Sequence, residues 1–276
     1  MSEVAAADLS ALAELLRAGD VVVLTGAGVS TDSGIPAYRD EDGQWKQSQP
    51  MQFRDFTSSE LSRQRYWARS MVGWQRMAEA LPNAAHHALA EWERRGALRL
   101  LITQNVDGLH SAAGSERVID LHGRLDRVIC LSCRELSPRV ELQARLVQKN
   151  PEFLGQSFQA RADGDVELAV DYERFQLVAC AGCGGVLKPD VVFFGENVPA
   201  PRVEVAMQAL NGARALIIAG SSLMVFSGYR FARAASRLGV PVVVVNRGKT
   251  RADEMSALRV AGNLGRVLSE TLRAAP

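Results

Sequence analysis

Residues 21–25 read Val-Val-Val-Leu-Thr and run directly into Gly26-Ala27-Gly28. An apolar run without polar alternation is the pattern of a strand buried on both faces. A strand is buried that way when helices cover both sides of a parallel sheet. Three more runs of this kind follow at residues 98–102, 215–219 and 240–245. Between them the pattern turns helical. Asn83 stands where an N-cap belongs, ahead of a helix over 84–95 that Gly96 stops. A second helix over 228–238 is closed by Gly239 and Pro241, and Leu9, Leu12, Leu15 and Leu16 mark an amphipathic helix ahead of the first strand. Strands alternating with helices predict an α/β domain built on a doubly wound parallel sheet.

The middle of the chain breaks this rhythm. Over residues 124–186 the buried-strand pattern fades, a polar stretch carries Asp163, Gly164 and Asp165, and all four cysteines fall within it. The segment reads as an insertion forming a smaller domain, joined by residues 40–80, which are rich in Arg and Trp. The cysteines form two pairs, Cys130-x-x-Cys133 and Cys180-x-x-Cys183, with 46 residues between them. Each pair sets two thiolates on one side of a tight turn, and two such knuckles complete a tetrahedron around Zn²⁺. Gly182, Gly184 and Gly185 lend the second knuckle backbone freedom. Four thiolates leave no open coordination position, so the expected metal is structural and holds together a module with little core of its own. A redox pair or reduced core thiols are the competing readings.

Composition narrows the function classes. With 32 Lys+Arg against 31 Asp+Glu the net charge is +1, so there is no bulk basic field to bind nucleic acid. No apolar run approaches the roughly 20 residues of a membrane span. The N-terminal stretch lacks the basic flank and apolar core of a secretory signal, and four cysteines in 276 residues are too sparse for a secreted disulfide scaffold. A cytoplasmic monomer with no nucleic-acid or membrane partner is expected.

Gly26-Ala27-Gly28-Val29-Ser30-Thr31 begins like the dinucleotide fingerprint G-x-G-x-x-G but carries Thr31 at its sixth position. By itself it also fits a tight strand-to-helix turn without a ligand. Its place after the first buried strand favours a phosphate site, because backbone N–H groups there would face a pyrophosphate. The turn continues to Ser33-Gly34-Ile35-Pro36-Ala37-Tyr38-Arg39. Downstream stand Thr103-Gln104-Asn105-Val106-Asp107, Leu121-His122-Gly123, the two cysteine pairs, Lys188-Pro189-Asp190-Val191-Val192-Phe193-Phe194-Gly195-Glu196 and Gly220-Ser221-Ser222-Leu223. With these motifs in this order, the chain resembles the sirtuins, the Sir2 family of NAD-dependent protein deacylases, and a bacterial member is expected. Arg65-Tyr66-Trp67-Ala68-Arg69 and Ser227-Gly228-Tyr229-Arg230-Phe231 resemble the class II branch, which includes the mitochondrial sirtuin 4 type.

The resemblance implies a Rossmann-like NAD-binding domain over residues 1–39, 81–123 and 187–276, and a small helical and zinc-binding domain over 40–80 and 124–186. NAD would lie in the cleft between them as a consumed co-substrate. Gly26, Ala27 and Gly28 would let the backbone approach the pyrophosphate, and Ser30 and Arg39 would help hold phosphate and ribose. Ile35, Pro36 and Tyr38 would close over the nicotinamide end. Gln104, Asn105 and Val106 would serve the nicotinamide ribose, with Asn105 also catalytic, and Asp107 the carboxamide pocket. Gly220, Ser221, Ser222, Asn246, Arg247, Gly248 and Leu264 match contacts to the adenosine half. His122 is the candidate general base, since the imidazole pKa of about 6.5 suits proton transfer near neutrality. The family reaction releases nicotinamide and an O-acyl-ADP-ribose.

The expected partner is an acylated-lysine protein or peptide. It would lie as an added strand between Gly195-Glu196 and a loop from Val225 to Gly228, with Val192, Phe193 and Phe194 beside the acyl tunnel. Tyr66 and Arg69 echo a pair that reads acyl carboxylates in desuccinylating sirtuins, so acyl groups longer than acetyl are expected. The plainer alternatives are a surface Arg with Tyr66 packed beneath it, and a buried strand over 191–194. Asn105 and Asp107 could equally form a turn. His86 reads as capping and packing, His110 as structural, and Trp67, Trp74 and Trp92 as core. Many sirtuins carry a proline shortly after the Ser-Leu segment, and this chain has Leu223-Met224-Val225-Phe226 there. Protein mono-ADP-ribosyl transfer, a zinc-bearing dehydrogenase and a zinc-ribbon binding module are the alternative functions. Thr31 speaks against the second and the near-zero charge against the third.

Overall fold

The four apolar runs become neighbours in one sheet of the computed structural model, which describes residues 5–46, 50–155, 159–160 and 166–275. The polar stretch at Asp163, Gly164 and Asp165 lies outside the described residues. The first part of the chain forms α1 (Ala6–Ala18), β1 (Val21–Thr25), α2 (Phe53–Ser58), α3 (Glu60–Ala78), α4 (Ala84–Arg94), β2 (Leu98–Thr103), α5 (Leu109–Ala112) and β3 (Val118–Asp120). The middle forms β4 (Gly123–Cys130), β5 (Leu136–Pro138), α6 (Arg139–Lys149), β6 (Gln159–Ala160), β7 (Val166–Glu167) and β8 (Leu187–Val191). The last part forms α7 (Ala200–Leu210), β9 (Ala215–Ala219), α8 (Phe226–Arg237), β10 (Val242–Val245), β11 (Ser256–Val260) and α9 (Leu264–Ala274).

The main sheet has the order β11-β10-β9-β1-β2-β3, and every pairing in it is parallel. The chain goes from β1 to β2 and β3 on one side, then returns to the other side of β1 for β9, β10 and β11. This is the expected α/β, doubly wound architecture, and its direction reverses at β1. The unbroken apolar runs follow from double-sided burial. Val21 and Val23 join one core with Leu12 and Leu16 of α1, Leu89 and Trp92 of α4 and Val267 and Leu268 of α9. Val22 and Leu24 join the opposite core with Ala206 and Leu210 of α7 and Phe231 and Ala235 of α8. Positions 21–24 of β1 therefore carry an apolar side chain without interruption. The strands also end together, since Thr25 is in register with Thr103 and Ala219, and Ala219 with Val245. The loops that follow start along one line, which is where an open α/β sheet binds ligands.

A third core lies beside this sheet. Phe56, Tyr66, Trp67 and Met71 of α2 and α3 meet Val128 of β4, Leu142 and Leu146 of α6, Phe153, Phe175 and Leu187. Residues 187–191, expected in the larger domain, run antiparallel to β4 in a three-stranded sheet of order β5-β4-β8. Leu187 fills the third core, while Lys188, Pro189 and Asp190 lack the unbroken apolar character that the main sheet demands. Helix α8 also begins before the expected residue 228. Val225 is its N-cap and Ser227 lies in its first turn, so most of the expected loop from 225 to 228 is helical. Trp67 and Trp92 are buried as expected, whereas Trp74 is half-exposed with the Arg139 guanidinium 4.7 Å from its ring centre. No described helix is long and apolar enough to cross a membrane.

Candidate active site

The loops after β1, β2, β9 and β10 open onto one cavity of about 680 Å³, bounded on its other side by residues 191–198 and by the hairpin around Gly43. The glycines of the first loop are required by a crossing of two turns. Gly28 donates its N–H to the Gly220 carbonyl at 2.9 Å. A Cβ on Gly28 would lie 2.8 Å from that oxygen, and one on Gly26 would lie 2.7 Å from the Ser221 Cβ. Gly220 itself has φ +63°, a left-handed conformation that favours glycine. The chain then makes short 3₁₀ turns over Ala27–Val29 and Thr31–Ser33 instead of opening an α-helix. At the position of the third fingerprint glycine, the Thr31 hydroxyl donates to the Gly28 carbonyl at 3.0 Å.

Behind this turn lies a buried polar chain. Asn105 donates Nδ2–H to the Gly26 carbonyl at 3.2 Å and to Ser30 Oγ at 3.0 Å. Ser30 in turn donates to Asp107 Oδ2 at 2.7 Å, and Asp107 Oδ1 accepts the Leu109 N–H at 2.9 Å. Burial raises the Asp107 pKa, with these hydrogen bonds acting against it. His86 accepts the Asn83 N–H on Nδ1 in a capping box, which leaves its Nε2–H facing Ser30 Oγ at 3.5 Å. Burial, and then the neighbouring His87, hold the His86 pKa down to about 4. His110 is pushed well below the usual imidazole range, first by burial and then by His86, and its Nε2 meets Thr25 Oγ1 at 2.9 Å. Both rings are neutral near pH 7 and act as fixed hydrogen-bonding groups.

His122 sits between β3 and β4, where Gly123 has φ +84° and a Cβ on it would lie 2.0 Å from the Asp190 carbonyl oxygen. The Gln104 carbonyl can only accept, so the His122 Nδ1 at 2.9 Å carries the proton. The lone pair is then on Nε2, which accepts the Ser227 hydroxyl at 2.8 Å and opens into the cavity. Burial pulls the His122 pKa down to about 4, the Gln104 carbonyl works against that, and the charges of Arg202 and Arg230 add to it. His122 is therefore neutral near pH 7, with its tautomer set by the backbone and its basic nitrogen facing the space a ligand would enter.

The opposite wall is held by an ion pair. Lys188 is buried with Nζ 2.9 Å from Glu196 Oε2 and close to the Val191 carbonyl, and the same carboxylate oxygen accepts the Phe193 N–H at 2.7 Å. The turn between them passes through Gly195 at φ +84°. Val192 donates its N–H to the His122 carbonyl at 2.8 Å, which ties this wall to the histidine loop. Phe193 packs edge-on to Phe56 and Tyr66, and Phe194 packs edge-on to Trp45, whose ring also carries the Arg39 guanidinium 3.8 Å above it.

Most residues singled out in the sequence line this one cavity, among them Tyr38, Arg39, Tyr66, Gln104, Asn105, Val106, His122, 192–196, 220–222, Val225, 246–248 and Leu264. Ser30, Ile35, Pro36, Asp107 and Arg69 do not line it. Ser30 and Ile35 are buried behind the turn, and Arg69, one helical turn beyond Tyr66, is buried within the smaller lobe.

The four cysteine sulfurs converge in the smaller lobe. Cys130 Sγ is 3.5 Å from Cys183 Sγ and Cys133 Sγ is 3.8 Å from Cys180 Sγ, and all four ligand atoms lie within 4.8 Å of one another. A tetrahedron with Zn–S bonds of about 2.3 Å has edges of about 3.8 Å, so the set fits a structural zinc ion. The two knuckles repeat one geometry. Arg134 and Gly184, each just past a second cysteine, have φ of +65° and +72° and return their N–H to the carbonyls of Cys130 and Cys180. The Cys133 N–H, followed by smaller contributions including the Ser132 N–H, favours the Cys130 thiolate and brings its pKa down to about 6 against the effect of burial. A thiolate is the form a metal binds.

Residues 26–227 match the Sir2 family. Over 248 residues the chain is 54% identical to an NAD-dependent protein deacetylase of Xanthomonas campestris pv. campestris, covering 90% of this chain and 85% of that one. Over 267 residues it is 51% identical to an NAD-dependent protein deacetylase of Bordetella bronchiseptica, covering 96% and 97% of the two chains. The chain belongs to the Sir2 family. Among solved structures, one described as bearing on the mechanism and regulation of Sir2 enzymes superposes with a TM-score of 0.76 at 32% identity, covering 98% of both chains. A Sir2 complex with a p53 peptide and NAD⁺ superposes with a TM-score of 0.75 at 28% identity, covering 94% of this chain and 95% of that one.

Four residues of this Sir2 fold have places in the site that sequence reasoning left without a role. Ser227 faces His122, Lys188 pairs with Glu196, Trp45 joins Arg39 to Phe194, and Arg230 lines the cavity. No spacing signal marks them, because each acquires its role from a partner on a different segment or from the shape of the cavity.

Proposed function

We propose that the chain is an NAD-dependent protein lysine deacylase that releases nicotinamide and O-acyl-ADP-ribose. One observation carries the reading. A neutral histidine whose basic nitrogen faces the Ser227 hydroxyl shares a single cavity with the turn after β1 at the point where the sheet reverses. When bound, NAD supplies the ribose carbon from which nicotinamide leaves and the ribose hydroxyls that receive the acyl group. In this reading His122 Nε2 exchanges the Ser227 hydroxyl for a ribose hydroxyl and takes its proton, while Nδ1–H stays anchored on the Gln104 carbonyl. Gln104, Asn105 and Val106 border the nicotinamide ribose. Asp107 acts through Ser30 from behind the turn, and Ile35 and Pro36 support the loop that presents Tyr38. Gly26, Ala27, Gly28 and Arg39 serve the phosphates, and residues 220–222, 246–248 and Leu264 serve the adenosine half.

An acylated peptide would enter between residues 192–196 and Val225, with its backbone added as a strand and its neutralised lysine pointing toward His122. We assign the chain to the class II branch and favour acyl groups longer than acetyl, since the Tyr66 ring stands in the cavity wall. The zinc ion would be structural. The domain division follows the third core, with residues 187–191 moved to the smaller lobe. Four cysteines free of disulfides suit a reducing compartment, which supports a cytoplasmic location. Mass spectrometry of peptides carrying acetyl, longer neutral or dicarboxylic acyl groups, with and without NAD, tests the function. Acyl loss that requires NAD supports it. Peptides that gain ADP-ribose point to the transferase alternative, and peptides unchanged under every condition refute it.

A further inference from the structure

We propose that Arg230 binds a carboxylate carried by the acyl-peptide substrate; the inference rests on the deacylase reading. Arg230 lies on α8 three residues after Ser227, so the two side chains leave neighbouring points of the same helix face. Ser227 reaches His122, and Arg230 lines the same cavity. The guanidinium Cζ is 5.4 Å from the centre of the Phe226 ring. Its Nε is buried without a hydrogen-bond partner, and no acidic side chain among the described residues forms an ion pair with it.

Three of the four acids that line the cavity are engaged elsewhere. Glu196 is held by Lys188. Asp32 accepts from Asn263, and Asp40 accepts the backbone N–H groups of Asp42 and Gln44. The backbone of Glu41 lies against Gly248, in the loop after β10. A guanidinium with a desolvated nitrogen and no counter-charge is an unfavourable arrangement for the empty protein, and an incoming anion relieves it. The field of Arg230 reaches His122, whose pKa it helps to lower, so the cation stands close to the reacting end of the cavity. Acyl-lysine brings no positive charge to oppose it. A planar fork of N–H donors matches a carboxylate in particular.

Two parts of the substrate can bring that carboxylate: the far end of the acyl chain, or an acidic side chain next to the modified lysine. Isosteric pairs separate them. One pair has acyl-lysine ending in a carboxylate or in the corresponding carboxamide, within a peptide lacking other acids. The other pair is an acetyl-lysine peptide with Glu or Gln beside the lysine. Binding of each labelled peptide to the purified full chain is read by fluorescence anisotropy, and nicotinamide release is followed in parallel.

The expected result is a preference of about tenfold for the acid over its amide in one pair. That preference collapses toward unity in Arg230→Gln and inverts in Arg230→Glu against a Lys-flanked peptide. The inversion is a gain that a misfolded variant cannot show. The pair that shows the preference names the source of the carboxylate. No acid-over-amide preference in either pair overturns the proposal, as does a preference that survives Arg230→Gln. Failure of nicotinamide release with every peptide sinks the deacylase reading instead, and the anisotropy ratios still decide the role of Arg230.

Discussion

Replacing Lys188 by Met, Glu196 by Gln, and both together asks whether the buried ion pair beside the cavity acts as one unit. The Nζ–Oε2 distance is 2.9 Å, with the lysine side chain 4% exposed and the glutamate 22%. At an effective dielectric of about 20 the bare attraction is about 6 kcal/mol, and lost hydration removes most of it. A net coupling of about 2 kcal/mol is expected, so the double variant should be more stable than the sum of the two single losses implies. The single variants should also differ. Lys188→Met leaves a carboxylate that is partly in water and still accepts the Phe193 N–H. Glu196→Gln leaves a cation buried 4.4 Å from the Phe193 ring centre, and should lose about 3 kcal/mol.

The second variant has a pH signature. Burial already lowers the Lys188 pKa, while Glu196 and then Asp190 oppose that shift and Arg134 adds to it. Removing Glu196 lowers it further. Between the lowered folded value and the unfolded value of about 10.4, the unfolded chain holds a proton that the folded chain has released, so stability rises with pH in that window. Urea unfolding at about pH 7 and about pH 9, with unchanged m-values, measures both effects. Single losses that add to within about 0.4 kcal/mol would refute the coupling. A Lys188→Met loss larger than that of Glu196→Gln would refute the assignment of the buried charge. The kinetic counterpart is a raised peptide KM in both single variants, because the Phe193–Glu196 turn lines the cavity that the proposed peptide would enter.

Three further outcomes are expected. His122→Ala should lower acyl-peptide turnover by at least about a hundredfold while leaving metal content and cooperative unfolding intact, as checked by initial rates and elemental analysis; undiminished turnover would remove His122 as the base. Cys183→Ser should release about one zinc ion per chain and lower the thermal midpoint, and a midpoint unchanged by both this substitution and a strong chelator would argue against a structural metal. His86 and His122, with folded pKa values of about 4, bind protons more readily when unfolded, so each withdraws up to about 3 kcal/mol of stability as pH falls from about 6.5 toward 4. A stability flat across that interval, measured by denaturant titration, would contradict their buried neutral state.

Most of the scaffold was legible because it is written in local patterns. The stretches 21–24, 100–102 and 215–219 are apolar at every position because each strand faces two cores, and that condition is visible in a window of three to five residues. Asn83 ahead of α4 and Gly96 after it are equally local, since a cap involves residues only a few positions apart. The cysteine pairs were legible for the same reason, each knuckle being a turn of four or five residues. Residues 187–191 were less so: Lys188, Pro189 and Asp190 set the segment apart from the main-sheet strands, but nothing local names β4 as its partner.

The amino-acid sequence alone thus determined the parallel sheet, the metal-ligand set and the stock of groups placed at the strand ends, because short-range sterics and burial patterns decide these. The tertiary structure alone decided which of those groups meet. It put the Gly28–Gly220 crossing beneath the cavity, turned His122 Nε2 toward Ser227, and separated Tyr66 in the wall from Arg69 behind it. It also put Arg230 in the same space, its buried Nε without a hydrogen-bond partner among the described residues. These are contacts between segments far apart in the chain, so their distances depend on how whole layers pack, and no window of neighbouring residues contains that information.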